Sequence, residues 1–264
     1  MPVNAERRRE LFRLVPEGAL VTRTWLRDQG IGSHAIDNLL KSRQLTAVKG
    51  GVYKREGSRP EWGDVVHFLQ QDMESDLTIG GLTALELQKL SHYLPMASKR
   101  TIHLYGTDTL PDWIKTIGDN ASFVRYNIGS LLGKGWTEDS LLELQQFARQ
   151  VAWKDADEGL RISSPERAIL EVLDGVPHRI TFEHADELMQ GLATLSPRAL
   201  QKLLELCGNI KVRRLFFWFA DRHNHPWLKR LVRENIDLGS GNRVIAKGGR
   251  LDKKYYITVP DFYE

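Results

Sequence analysis

Over the first 55 residues, apolar positions recur three and four apart before they begin to alternate, so the chain opens with helices and passes to strands. In residues 5–14 (AERRRELFRL), Leu11, Phe12 and Leu14 fall among charges at helical spacing, and Pro16-Glu17-Gly18 ends that helix. A second helix starts at Thr22, a good N-cap, turns Trp25 and Leu26 inward, and stops at Gly30, which suits the position just past a helix end. After the turn Gly30-Ile31-Gly32, Ser33 is placed to cap a third helix that runs to about Arg43, with Ala35, Ile36, Leu39 and Leu40 on its apolar face. Two β-prone stretches follow in LTAVKGGVYKR, joined through Lys49-Gly50-Gly51, where glycines can take the positive φ of a hairpin turn. Three short helices, a glycine turn between the last two and a closing hairpin predict a winged helix-turn-helix over residues 1–57.

Residues 56–60 (EGSRP) have linker composition, and residues 61–264 predict a larger mixed domain with a subdivision left open near 160–200. Helices are expected at about 62–73, 138–150, 165–174, 182–191, 197–207 and 211–222, and strands near 101–105, 122–127 and 160–162. In the tail, 242–246 and 255–259 are β-prone and flank the polar turn KGGRLDKK. The expected fold class is α+β. No repeat, heptad array or low-complexity segment interrupts it.

Composition adds constraints. With 41% hydrophobic and 27% charged residues, the 264-residue chain can bury an ordinary core. No run of 18 uncharged apolar residues is present, and the start MPVNAERRRELF lacks the apolar stretch of a secretory leader, so a cytoplasmic protein without a membrane partner is expected. Cys207 is the only cysteine, which excludes an intramolecular disulfide and argues against Cys-based zinc sites; its surroundings (LLELCGNI) predict a buried small hydrophobe. The net charge of +3 conceals an asymmetry: residues 1–60 carry twelve Lys/Arg and six Asp/Glu, leaving 25 and 28 for the rest. A short cationic N-terminal segment is what a polyanion-binding element requires.

A recognition helix must hold its apolar face on the domain while offering polar side chains to base edges in the major groove. In the third helix, His34, Asn38 and Lys41 share one stripe at i, i+4 and i+7 opposite Ile36, Leu39 and Leu40, with Ser33 and Asp37 beside them. Asn38 can pair bidentately with adenine, Lys41 can contact guanine or phosphate, His34 sits at the N-terminal end, and Asp37 either accepts from cytosine or orients a neighbour. Arg23, Arg27, Lys49, Lys54 and Arg55 are the candidate phosphate contacts, Lys49 from the wing tip. Double-stranded DNA is the expected partner. A module of this shape also serves protein interaction, so a head that never meets DNA stays open as an alternative.

Enzyme chemistry finds little purchase. The acidic run Asp155, Asp157, Glu158 has the look of a metal site, but Gly129-Ser130, the Gly-Ser turn that a nucleotidyltransferase needs shortly before it, is 25 residues away. Gly80-Gly81 and Lys247-Gly248-Gly249 match neither the P-loop nor the dinucleotide spacing. His223 and His225 are too close for a helical zinc pair, and no nucleophile elbow is present. No cofactor or metal is expected. A nuclease-like enzyme with an appended DNA-binding module remains the alternative from another class.

The order of four segments, GALVTRTWLRDQGIGSHAIDNLLKSRQLTAVKGGVYKR, TIGGLTALELQKLSHYL, SSPERAILEVLD, and IKVRRLFFWFAD with KGGRLDKKYYITVP, resembles the AbiEi-type antitoxins of bacterial abortive-infection toxin-antitoxin systems. The resemblance covers nearly the whole chain. It implies a winged-helix autorepressor that binds inverted repeats in its own promoter, as a dimer or as cooperating monomers. It also implies a second domain that counteracts a nucleotidyltransferase-like toxin without a stable complex. Within SSPERAILEVLD, Ser163 or Ser164 can cap a helix with Pro165 at its first position and Glu166 closing a capping box, while Ala168, Ile169, Val172 and Leu173 face the core. The functional alternative places Glu166 and Arg167, with Arg213 and Arg214, on an antitoxicity surface. Lys211, Arg213, Arg214 and the cluster Lys247, Arg250, Lys253, Lys254 read either as solvated faces or as an extension of a nucleic-acid surface.

Overall fold

The computed structural model describes residues 11–91, 99–117, 121–154 and 156–263, a mixture of helix and sheet. Residues 11–14 are the end of the first expected helix, whose part at 5–10 lies outside the described residues. Strand β1 (Leu20–Thr22) follows, then helices α1 (Arg23–Asp28) and α2 (Ser33–Lys41), and strands β2 (Leu45–Lys49) and β3 (Val52–Arg55). The strands form an antiparallel sheet in the order β1, β3, β2, with Leu20 opposite Lys54 and Thr22 opposite Val52. Successive side chains of a strand point to opposite faces, and β1 uses both. Val21 joins Leu11, Val15, Leu26, Ile36 and Leu45 in a small core under the helices. Leu20 and Val52 point the other way, into a second core with Trp62, Val65, Val66 and Phe68 of helix α3 (Trp62–Gln71). The N-terminal head is thus seated on the body through the outer face of its own sheet. Residues 56–60 are part of that seat: Ser58 and Pro60 are buried, and Ser58 Oγ accepts from the Gly18 amide at 2.7 Å.

The body is built on a five-stranded mixed sheet in the order β6 (Ala121–Asn127), β5 (Arg100–Gly106), β4 (Thr78–Ile79), β8 (Leu160–Ser163), β7 (Ala148–Val151). The pairs β5/β6 and β4/β8 are parallel, and β4/β5 and β7/β8 antiparallel. Ile79, Ile102, Leu104 and Ile162 pack with α3 and the 3-10 helix Asp112–Thr116. Tyr105 joins the other large core with helices α4 (Gly81–Leu87) and α7 (Pro165–Asp174). Two short helices, α5 (Gly129–Leu132) and α6 (Glu138–Gln145), precede β7. Beyond α7 lie α8 (Phe182–Gly191), α9 (Pro197–Leu206) and α10 (Ile210–His223). Every residue of α10 from Val212 to Ala220 is buried, as expected of a helix enclosed on all sides.

Three expected boundaries differ. The helix expected over 138–150 ends at Gln145, and residues 148–151 leave it to pair antiparallel with β8. In the tail, the polar segment taken for a turn contains strand β9 (Arg250–Asp252), which forms a hairpin with β10 (Ile257–Val259). Residues 242–246, expected as a strand, form an isolated parallel bridge between Arg243 and Ile257, and the Ile245 and Ala246 amides donate to Thr258.

Candidate nucleic-acid interface

Helix α1 begins as its sequence requires: Thr22 Oγ1 accepts from the Trp25 amide at 3.0 Å, and Leu26 is fully buried while Trp25 is half-buried. Gly30, at φ +83, turns the chain toward α2 in a backbone region that favours glycine. The cap of α2 is Gly32, not Ser33; no side chain bonds its first amides, and Ser33 is the first helical residue, exposed. Ile36 is sealed in the head core with Leu39 and Leu40 packed against it, whereas Ala35, expected on that face, is exposed. His34, Asn38 and Lys41 are all exposed. At about 100° per residue these three lie on one narrow stripe facing away from Ile36.

The other expected contacts divide by what already holds them. Arg27 on α1 and Lys49 at the hairpin tip are exposed, the latter beside Gly50 (φ +62) and Gly51 (φ +81), the two left-handed residues of a tight hairpin turn. Arg23 and Asp37, by contrast, form an ion pair at 2.5 Å, and Arg23 also donates to the Ser33 carbonyl at 3.2 Å. The hydrogen bond to Asp37 raises the Arg23 pKa above its ordinary value. This pair ties the start of α1 to α2, so Asp37 is occupied in orienting its neighbour. Lys54 donates to the Ser58 carbonyl at 2.6 Å. Arg55 lies over the Phe12 ring at 4.4 Å and 3.8 Å from Glu17, bracing the β2–β3 hairpin against the first helix. Arg43, at the expected end of the third helix, lies just beyond α2, which ends at Lys41, and is exposed.

Glu166, Arg167, Arg213 and Arg214, expected on an antitoxicity surface, are all buried. Ser164, not Ser163, caps α7, and Glu166 turns away from the expected capping box to accept from the Ser196 amide at 2.8 Å. Arg167 donates to Glu171 at 2.8 Å, both side chains being almost wholly enclosed. Glu171, which the sequence reading missed, also accepts from Ser163 Oγ at 3.0 Å and from the Gly81 amide at 2.8 Å. A Cβ on Gly80 would stand 2.2 Å from that carboxylate, which gives the Gly80-Gly81 pair a packing reason. Arg213 donates to the carbonyls of Leu204, Glu205 and Asp237, and Arg214 to those of Leu238, Gly241 and Tyr256. Lys211 donates to the carbonyls of Asp174 and Val176. These cations satisfy the carbonyl ends of helices and loops, where positive charge is favoured, and are not solvated faces. Lys247, Arg250, Lys253 and Lys254 are exposed around the C-terminal hairpin.

His223 Nε2 is hydrogen-bonded to Asp186 Oδ1 at 2.7 Å and His225 Nε2 donates to the Met189 carbonyl at 2.8 Å, so both imidazoles are held by helix α8. Among the described residues no group of three His, Cys, Asp or Glu is placed to hold a metal ion, and no helix is long and apolar enough to cross a membrane.

Two family models match the chain. Residues 4–96 match the N-terminal domain of the AbiEi antitoxin transcriptional regulator, and residues 99–260 match the transcriptional regulator, AbiEi antitoxin, of type IV toxin-antitoxin systems. Among solved structures, the crystal structure of the RV2827C protein from Mycobacterium tuberculosis is similar over 90% of this chain and 85% of that one, with a TM-score of 0.51 at 17% identity. That is a likeness of fold. No curated protein matches the chain.

Proposed function

Because the chain belongs to the AbiEi antitoxin family of transcriptional regulators of type IV toxin-antitoxin systems, we propose that its head is a winged helix-turn-helix which binds an inverted repeat in its own promoter and represses it. The body, residues 61–264, supplies the antitoxin function against a nucleotidyltransferase-like toxin without a stable complex. The observation that carries the DNA-binding half is the face of α2. Ile36 is buried on one side, and His34, Asn38 and Lys41 stand free on the other.

In this reading α2 enters the major groove, where Asn38 pairs with adenine through its carboxamide and Lys41 reaches guanine or phosphate. His34 and Ser33 lie at the end of α2 nearest the bases. Arg27, Arg43 and the wing-tip Lys49 neutralise phosphates, fixing register without reading sequence. Arg23 and Asp37 set the angle between the two helices, and Lys54 and Arg55 brace the wing. Two copies, as a dimer or as cooperating monomers, read the two half-sites.

The test is a reporter fused to the promoter of its own operon, with toxin rescue scored in parallel. Asn38→Ala with Lys41→Ala is expected to derepress the reporter and to leave rescue from the toxin intact. Full repression by that double variant contradicts the assignment of α2 to DNA.

A further inference from the structure

Between head and body lies a solvent-open cleft of about 680 Å³, within the roughly 300–1,000 Å³ of small-molecule sites. Its walls combine apolar and aromatic surface from both sides, Leu14 and Trp25 from the head, Phe68 and Trp153 from the body. Five of the polar groups along it are acidic, Glu17, Asp64, Asp72, Asp157 and Glu158, beside His67, Gln71 and Lys154, the one lysine or arginine of the lining among the described residues. Lys154 is already committed, at 2.8 Å from Asp64 and 3.1 Å from Glu61. Trp153 Nε1 donates to the same Asp64 at 2.8 Å, which fixes the indole as a wall. Asp72, Asp157 and Glu158 are exposed and have no ion-pair partner among the described residues; Glu17 has only Arg55, 3.8 Å away. The loop that carries Glu158 is fastened to α3, because His67 Nε2 bonds the Glu158 carbonyl at 3.0 Å.

Asp72, Asp157 and Glu158, without an ion-pair partner among the described residues, stand beside two indoles, an arrangement that repels anions and favours cations twice over. Ammonium and guanidinium groups make charge-assisted hydrogen bonds to carboxylates and are drawn to the face of an indole. The apolar wall meanwhile accepts a hydrocarbon stem. We propose that this cleft binds a small organic cation, an amine or guanidinium carried on an apolar stem. Since its walls come from both head and body, an occupant favours the arrangement in which they face each other. A consequence for promoter affinity rests on the DNA-binding reading above; occupancy of the cleft does not.

The experiment uses the full chain without DNA, titrated with agmatine and with spermidine and followed by tryptophan fluorescence and calorimetry. Saturable binding is expected for agmatine, and none for butanediol, a neutral counterpart of its stem. Asp157→Asn with Glu158→Gln, both at exposed positions, is expected to weaken agmatine by about ten-fold or more, and Trp25→Ala to weaken it as well. Failure of both amines to saturate, equal binding of butanediol, or unchanged affinity in the Asp157/Glu158 variant each overturns the proposal. With no DNA in the measurement, a head that failed to repress would leave this result readable.

Discussion

Asp37 and Asn38 are neighbours on α2 with different circumstances: one is paired with Arg23, the other is exposed. Asn38→Ala should therefore lower discrimination at a single base pair of the operator by about 1–3 kcal/mol. Lys41→Ala should instead weaken all sequences and reduce the salt slope by about 0.9 if it neutralises one phosphate. Anisotropy titrations against single-base operator variants separate the two patterns. A residue-scale prediction of another kind concerns the buried Arg167 and Glu171, whose side chains are 2% and 0% exposed. Burial raises the Glu171 pKa and Arg167 opposes that rise. Arg167→Ala leaves a buried carboxylate without its cation and should cost about 3–5 kcal/mol in urea unfolding, with the DNA affinity of the folded protein unchanged. The stripe of α2 was legible in the sequence because helical spacing sorts exposed from buried positions. The burial of Glu166, Arg167, Arg213 and Arg214 was not, because their partners are backbone carbonyls, an amide and one carboxylate, most of them distant in the chain.

At the scale of elements, amphipathic helices declared themselves and short strands did not. Helices α7 and α8 span the residues their apolar periodicity predicts. Strand β4 has two residues and β9 three, so each owes its conformation to its neighbours rather than to a pattern of its own. The C-terminal hairpin shows what holds such an element: Asp221 on α10 accepts from Arg233, Lys254 and Tyr255, the last two at the hairpin turn. Burial works to raise the Asp221 pKa, but those hydrogen bonds prevail and hold it at about 2. Its folded pKa lies below the ordinary value of 3.8, so the stabilisation is present above that value and is lost as the pH falls toward 2. Asp221→Asn should flatten the acid dependence of stability in that window, measured by thermal unfolding from neutral pH downward. The junction of α5 with the α9–α10 loop is tighter still. A Cβ on Gly208 would stand 2.1 Å from the Leu132 carbonyl oxygen, so Gly208→Ala should destabilise by about 1–3 kcal/mol.

Across the whole molecule, exposed cations gather on the head, at Arg27, Lys41, Arg43 and Lys49, and around the C-terminal hairpin, at Lys247, Arg250, Lys253 and Lys254, while the head–body cleft carries five carboxylates. The charge asymmetry was legible from the sequence alone. The cleft was not, since its walls unite residues between Leu14 and Trp25 with others between Asp64 and Asp72 and with Trp153, Lys154, Asp157 and Glu158. The head's seat on α3 was hidden for the same reason, because Leu20 and Val52 look like ordinary strand residues until their second face is occupied. Sequence-specific reading of DNA by the head is the central proposal. The most direct test is the affinity of the full chain for its promoter's inverted repeat and for a scrambled duplex of equal composition, by anisotropy between about 50 and 200 mM salt. The account predicts a preference for the repeat of about a thousand-fold or more, with both affinities falling steeply as salt rises. Equal affinity for the two duplexes, or affinity indifferent to salt, would contradict it.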